Sequence, residues 1–370
     1  MVQNGANDVV VVTGSSGLIG TAVIGRLAER FRIVALDREG PPHPPPTAES
    51  IATDMTSGES LKRALERLRH GYGNRIASVI HLAAYYDFSG KPSPLYDEVT
   101  VRGTERLLKG LEDFEVGQFI FSSTMLVHKP CLPGERIDET WPVMPKWDYP
   151  ASKAKTEDLI IARHSKTPAV LLRIAGIYDD ECHSIPIANQ IRRIYERELT
   201  SLVYPGDTST GQSFLHLDDL VDACLSLVKR RGKLPHDLAL LLGEPETLSY
   251  RQMQKVLGRQ IHGVDWKTFE IPKVLAKIGA WIQDNMPFAP DPFIKPWMID
   301  LASDHYAVDI RLARSILNWE PQHSLLDTLP KMVAELKKNP AEWYQKNKLK
   351  PPSRLKSEPV GDVRTPARVG

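Results

Sequence analysis

A tyrosine and a lysine four residues apart, with a proline between them, stand in the stretch WDYPASKAK as Tyr149 and Lys153. A phenol of ordinary pKa ~10 is a poor base at neutral pH, so a tyrosine that lends and recovers a proton needs a cation beside it. An ammonium ~4 Å away, at an effective dielectric near ~20, favours the phenolate by about 4 kcal/mol. On a helix the two residues share a face, and Pro150 suits a first turn, which would set Tyr149 at the positive N-terminal end. A solvated pair on an exposed helix has the same spacing. Tyr344 and Lys348 in YQKNK repeat it near the other end of the chain, so spacing alone decides nothing.

A second chemical signal lies near the start, in VVVVTGSSGLIGTAVIGRLAER. Gly14, Gly17 and Gly20 follow a β-branched run and open a helical pattern from about Leu18. Glycines there let the backbone turn tightly and approach a pyrophosphate, which sits on the helix N-terminus, with Ser16, Leu18 and Ile19 completing the turn. The spacing is G-x-x-G-x-x-G, and the bland alternative is a tight strand-to-helix turn. Asp37 ends the next strand in RIVALD; its carboxylate can accept from both ribose hydroxyls and would repel a 2′-phosphate, which favours NAD over NADP. Arg38 next to it is the counterweight, and a strand-end turn residue is the structural alternative for Asp37. Asp54 could bond the adenine or serve the helix that follows Ser57.

These residues need elements to hold them. The first third alternates short apolar runs (VVVVT, RIVALD, IASVIHLAA, QFIFSS) with helical patterns (ESLKRALERLRH, GTERLLKGLEDF). That alternation predicts an α/β fold, a doubly wound parallel sheet of Rossmann type, in which strands covered on both faces are apolar throughout. A nucleotide-binding domain over 1–176 with a return segment at about 212–243 is expected, and a smaller, irregular substrate domain over 177–211 and 244–338. A tail over 339–370 is expected to be disordered at its end, and PPHPPP (Pro41 to Pro46) to be a stiff loop. The bulk composition agrees: 370 residues, 42% hydrophobic, 25% charged, formal charge +1. With no basic block, nucleic acid is excluded as the main partner. Three widely spaced cysteines (Cys131, Cys182, Cys224) give neither a disulfide framework nor a zinc spacing, so no metal is expected and a cytoplasmic home is. No run reaches the ~18 apolar residues of a membrane span, which leaves peripheral membrane contact open.

TGSSGLIG, HLAA, FSSTMLVH, YPASK and LLRIAGIY, in this order, resemble the extended short-chain dehydrogenase/reductase family, the group of NAD-dependent epimerases and dehydratases. The resemblance spans roughly residues 8–230 and weakens to about 335. It implies that Thr124, Tyr149 and Lys153 act together on a substrate oxygen, with Lys153 also reaching the nicotinamide ribose. It implies further that Met55, Leu82, Ala83, Ala84, Ser122 and Ile177 line the cofactor together with the glycine loop, Asp37, Asp54, Tyr149 and Lys153, and that the chain forms a homodimer. Thr124 ends a strand, where open α/β sheets place ligands, although a strand-end cap is its bland alternative. Tyr344 and Lys348 follow no such strand and read as surface.

The sequence departs from the family at Thr100, usually an asparagine, which bears on the proton path or its helix. His128 and Lys129 stand where Tyr-Gly is common, and His128 reads as a pocket-wall or core residue. Gln212 occupies a position where nucleotide-sugar enzymes of the family carry an arginine, and ASDHYAVD lacks a later one. A diphosphate wants charge-assisted donors, so a more apolar substrate is favoured. Tyr85, Tyr86, Phe88 and Met125 could line its pocket. Val274, Leu275, Ile278, Trp281 and Ile282 form a stripe that reads as core packing before it reads as a substrate- or membrane-facing surface. His216, Asp218 and Asp219 read as core and helix-cap residues. The expectation is an NAD-dependent oxidoreductase moving a hydride at a secondary alcohol or ketone carbon of a small, fairly apolar molecule. A nucleotide-sugar epimerase or dehydratase is the alternative, and an NAD(P)-sensing binding protein with a vestigial site is the alternative from another class.

Overall fold

β1 (Val9–Thr13) is five valine and threonine residues with no exposed position, the signature of a strand covered on both faces. Its side chains alternate: Val10 and Val12 enter one apolar cluster, and Val9 and Val11 enter another on the opposite face. The computed structural model describes residues 8–87, 90–164, 166–284 and 294–352. Within these, β2 (Arg32–Asp37), β3 (Ala48–Ala52), β4 (Ser78–His81), β5 (Phe119–Thr124), β6 (Ala169–Ile174) and β7 (Asp237–Leu242) join β1 in a seven-stranded sheet, all neighbours parallel. The order is β7-β6-β5-β4-β1-β2-β3, so the direction of winding reverses between β1 and β4. This is the doubly wound α/β fold that the alternating pattern predicts. Its crevice lies at the carboxyl ends of β1 and β4, where folds of this kind hold ligands.

The helices are α1 (Leu18–Leu27), α2 (Gly58–Tyr72), α3 (Arg102–Leu111), α4 (Asp148–Arg163), α5 (Ile185–Tyr195), α6 (Leu217–Arg230), α7 (Tyr250–His262), α8 (Lys273–Asp284), α9 (Pro296–Leu301), α10 (Arg311–Leu317), α11 (Leu325–Lys338) and α12 (Pro340–Lys346). α1 and α6 pack on one sheet face through Ile24, Leu27, Leu220 and Leu227, while α2 and α3 pack on the other through Leu61, Leu65, Leu107 and Leu111. α3 is entered through a π-helical turn, Tyr96–Val101. Two short strands outside the sheet, Gly176–Tyr178 and Phe214–His216, pair in parallel and lead into α6. His216 caps α6 by accepting from the Asp218 amide, and buried Asp219 accepts from the amides of Gln322 and His323. Both match the core and cap reading.

A third cluster gathers α5, α7, α11 and α12 around Ile187, Ile191, Leu257, Leu329 and Val333. It corrects two expectations. Tyr344, read as surface, is fully buried there on α12 and donates to Glu196 Oε1 at 2.5 Å; packing partners from α5 and α11, distant in sequence, cover it. The α8 stripe, read as core, is open: Val274, Leu275 and Ile278 are 68%, 59% and 52% exposed. Its period is helical, and no element among the described residues covers those three side chains. Phe88, the Met286–Asp291 stretch and the end of the tail from 353 lie outside the described residues, as do the side chains of Trp281 and Ile282. No helix among the described residues is long and apolar enough to cross a membrane.

Candidate active site

Gly14 leaves β1 with φ +67°, and a Cβ on it would stand 2.7 Å from the Ala83 amide nitrogen. A Cβ on Gly20 would stand 2.3 Å from the Gly14 carbonyl oxygen. Both positions therefore demand glycine, and the loop is pressed against the Leu82–Ala84 segment after β4. Gly17 is the N-cap of α1 and offers no side-chain cap; the first turn carries no acidic residue. Leu18 is exposed, Ile19 is half-buried and the buried Ser15 hydroxyl has no hydrogen-bond partner. Uncapped helix amides, a close-packed glycine turn and an orphaned hydroxyl suit a pyrophosphate. Asp37 ends β2 beside this loop: Oδ2 accepts from the Ser16 amide at 3.0 Å and its hydroxyl at 2.7 Å, and Oδ1 accepts from the Arg38 amide at 2.7 Å. The carboxylate faces the place where a nucleotide ribose would lie, so the donor set fits NAD better than NADP.

Asp54, after β3, accepts from the amide and hydroxyl of Thr56 at 2.8 and 2.7 Å, and these bonds hold it below the usual carboxylate range. Met55 is buried in the core, and its carbonyl accepts from Arg106. Leu82, Ala83 and Ala84 are half-buried along the crevice, anchored where the amides of Leu82 and Ala83 meet the carbonyl and hydroxyl of Thr13. Ile177 is half-buried on the short strand after β6.

The three candidate catalytic residues come together. Thr124 is the last residue of β5, buried, its hydroxyl accepting from the Leu126 amide at 3.3 Å and engaging the Tyr149 phenol. Tyr149 is the second residue of α4, with Pro150 in the first turn, as the spacing predicts. Lys153, one turn on, is only 2% exposed. Its ammonium donates to the Ser122 carbonyl, sits 3.5 Å from the Ser122 hydroxyl and lies 4.7 Å from the centroid of the Phe121 ring.

The ammonium stands 6.0 Å from the Tyr149 ring centroid and is not among the groups that pull the phenol down. Burial pushes the phenol up to about 12, aided by Tyr96, with only the Thr124 bond pulling down. Enclosure pushes Lys153 down to about 7, opposed by Glu157. The reason is local: a wholly enclosed ammonium takes the nearest carbonyl, and desolvation outweighs its attraction for a neutral phenol.

Several residues that spacing did not flag support this arrangement. Glu157 continues the Tyr149–Lys153 stripe by one more turn of α4. Buried, it accepts from the Ser123 hydroxyl and from Arg173 Nη2 at 2.7 Å and Nε at 3.2 Å. Arg173 also donates to His128 Nε2 at 3.1 Å, so His128 carries its proton on Nδ1, toward the Trp141 carbonyl at 2.8 Å. His128 is therefore a core residue, pushed down to about 4 chiefly by burial and then by Arg173. A stripe at i, i+4, i+8 was the available signal for Glu157. His81, ending β4, joins Thr13 Oγ1 at 2.7 Å and Thr104 Oγ1 at 2.8 Å. Thr104 gives its own proton to the Thr100 carbonyl, so His81 donates through Nε2 and stays neutral, pushed down to about 3 by burial and Lys153. Thr100 accepts from the Tyr85 amide at 3.0 Å and thereby ties the π-helical turn to the crevice wall.

Toward solvent, aromatic rings continue from Tyr149. Tyr86 meets it edge-on at 4.9 Å, Trp147 lies 5.4 Å away, and Trp297 lies 5.0 Å beyond Trp147. Tyr85 instead packs against Tyr96, and Met125 is buried in the core. A cavity of about 240 Å³ opens beside Tyr96, Trp147, Trp297 and Leu301, with Lys146 and Asp300 also on its lining.

Known proteins give a concordant picture. A UDP-glucose 4-epimerase of Streptomyces lividans is 26% identical over 277 residues, 67% of this chain and 80% of its own length. A 3-beta-hydroxysteroid dehydrogenase of Mycolicibacterium neoaurum is 25% identical over 184 residues, 46% of this chain and 47% of its own. The crystal structure of Thermus thermophilus UDP-glucose 4-epimerase in complex with NAD superposes with a TM-score of 0.68 at 20% identity, covering 90% of this chain and 99% of that one. Residues 10–240, more than half of the chain, match the model of the NAD dependent epimerase/dehydratase family, and the chain belongs to that family.

Proposed function

We propose that this protein is an NAD-dependent enzyme acting at a secondary alcohol or ketone carbon of a ring-bearing, largely apolar substrate, with Tyr149 as the acid/base. The observation that carries the reading is the convergence of Tyr149, the Thr124 hydroxyl and the enclosed Lys153 at the carboxyl end of β5. NAD would be held by the turn from Gly14 through Ser16, Gly17, Leu18 and Ile19 to Gly20, with Asp37 at the ribose, Ala83, Ala84 and Ser122 along the crevice, and it supplies the hydride-carrying group. Thr124 positions the substrate oxygen, and Tyr149 takes or returns its proton. Lys153, with Glu157 and Arg173 behind it, holds the charge that the phenol needs once water is shut out.

The rings of Tyr86, Trp147 and Trp297 leading to Tyr149 favour a flat apolar molecule, and Gln212 supplies no charge for a diphosphate. The hydroxysteroid dehydrogenase similarity points the same way. A second reading, a nucleotide-sugar epimerase or dehydratase, is favoured by the greater extent of the match to the epimerase of Streptomyces lividans. A homodimer, as the family resemblance implies, and a cytoplasmic location, in keeping with three buried unpaired cysteines, complete the proposal.

The test is to incubate purified protein and NAD with two panels, hydroxysteroids and related ring alcohols against UDP- and dTDP-sugars. The proposal expects reduced-nicotinamide absorbance to grow with the first panel only. An isomerised or dehydrated sugar would shift the assignment to the second reading. Tight NAD binding with no turnover on either would overturn the enzymatic reading.

A further inference from the structure

At the end of the sheet opposite the crevice, three side chains converge that the reaction does not use. His164 caps the C-terminus of α4, and His236 and Asp237 lead into edge strand β7. His164 Nδ1 lies 2.7 Å from the Thr167 carbonyl, which can only accept, so that nitrogen carries the proton. Its other nitrogen, Nε2, is aimed at Asp237 Oδ1 at 3.0 Å. His236 Nδ1 approaches the same oxygen at 2.9 Å. One carboxylate oxygen is thus faced by two imidazole nitrogens, with one ligand atom from each residue within 4.8 Å of the others.

We propose that His164, His236 and Asp237 form a binding site for a borderline divalent transition metal, zinc above all, that ties the C-terminal end of α4 to the edge strand. Two imidazoles and one carboxylate suit zinc, nickel or copper rather than magnesium or calcium. Donors about 2.0–2.2 Å from a tetrahedral zinc stand about 3.3 Å apart, so the two nitrogen-to-carboxylate separations of 3.0 and 2.9 Å need to open by only a few tenths of an ångström, and the two imidazole nitrogens already lie within 4.8 Å of each other. The Thr167 carbonyl supplies the outer hydrogen bond that fixes the ring of a metal-bound histidine and selects Nε2 for the metal. His164 is buried, whereas His236 and Asp237 are exposed, which gives a firm anchor and an entry path, with water completing the coordination. The negative C-terminal end of the sixteen-residue α4 adds attraction for a cation. The site is independent of the substrate, because Tyr149 stands at the other end of α4, ~20 Å away at 1.5 Å per residue.

The experiment is calorimetric titration of the chelator-stripped, untagged full chain with zinc chloride, alongside thermal unfolding with and without zinc. One equivalent is expected to bind and to raise Tm. His236→Ala and Asp237→Asn, both at exposed positions, are expected to keep the metal-free Tm and to weaken binding at least tenfold. His323→Ala is the control, since His216, Asp218 and His323 form another close group, and it is expected to bind as the parent does. No saturable binding, binding unchanged in both His236→Ala and Asp237→Asn, or binding lost in His323→Ala would each overturn the proposal.

Discussion

Two segments of this chain carry a tyrosine four residues ahead of a lysine, and the molecule treats them in opposite ways. At Tyr149 the phenol is half-buried at the start of a helix, beside a threonine hydroxyl, and the lysine is enclosed. At Tyr344 the phenol is enclosed near the end of a short helix and committed to Glu196, while Lys348 is exposed beyond the helix with φ +54°. Burial and Glu196 both drive the Tyr344 phenol far above its ordinary range. The first pair has a half-buried phenol and a sequestered cation, and the second a fully buried phenol and an exposed cation. The two pairs differ in which member is exposed, and the shared spacing is silent about it.

Substitutions can break that contrast. The largest effect is expected for Tyr149→Phe, which removes the proton carrier and should lower kcat by about 10²–10⁴-fold while NAD binding, followed by fluorescence titration, stays within a few-fold. Equal loss from Tyr344→Phe would abolish the distinction. Next comes Lys153→Met. The lysine is pushed down to about 7 from its ordinary value of 10.5, so between those values the unfolded chain holds more protons than the folded one. Parent stability should rise with pH across that window, and the burial penalty is complete below about pH 7. Lys153→Met should therefore lose turnover yet raise Tm by roughly 2–4 °C at pH 6, the gain fading toward pH 10. A Tm difference independent of pH would show that the lysine is not held under this strain. The smallest effects belong to the second pair: Tyr344→Phe should lower stability by about 1 kcal/mol in urea unfolding with kcat unchanged, and Lys348→Ala should stay within about 0.5 kcal/mol.

Legibility in the sequence followed the range of the interactions involved. β1, the glycine turn, α1 and Asp37 are set by contiguous residues, and a fully parallel sheet follows from apolar runs alternating with helical ones. The start of α4 was equally plain, because Pro150 fixes it locally. What escaped depends on partners far along the chain. The α8 stripe has a helical period, but the period cannot say whether another element covers it. Tyr344 is buried by helices that only the fold brings near. The commitment of the Lys153 ammonium to the Ser122 carbonyl on β5 was likewise out of reach of the four-residue spacing. Glu157 was within reach of pattern reading, one turn past Lys153, whereas its partner Arg173 on β6 was not.

The π-helical turn at Tyr96–Val101 has a consequence of another kind. Its wider winding accommodates one surplus residue, and a surplus residue is a phase shift: everything downstream is turned by about 100° relative to an unbroken α-helix. At the first residue of the turn, Tyr96 packs edge-on to Tyr85; after it, Thr104 meets His81. Here the genetic unit that matters is a codon count, and an in-frame deletion of a single triplet would misalign the helix even if every named side chain were kept.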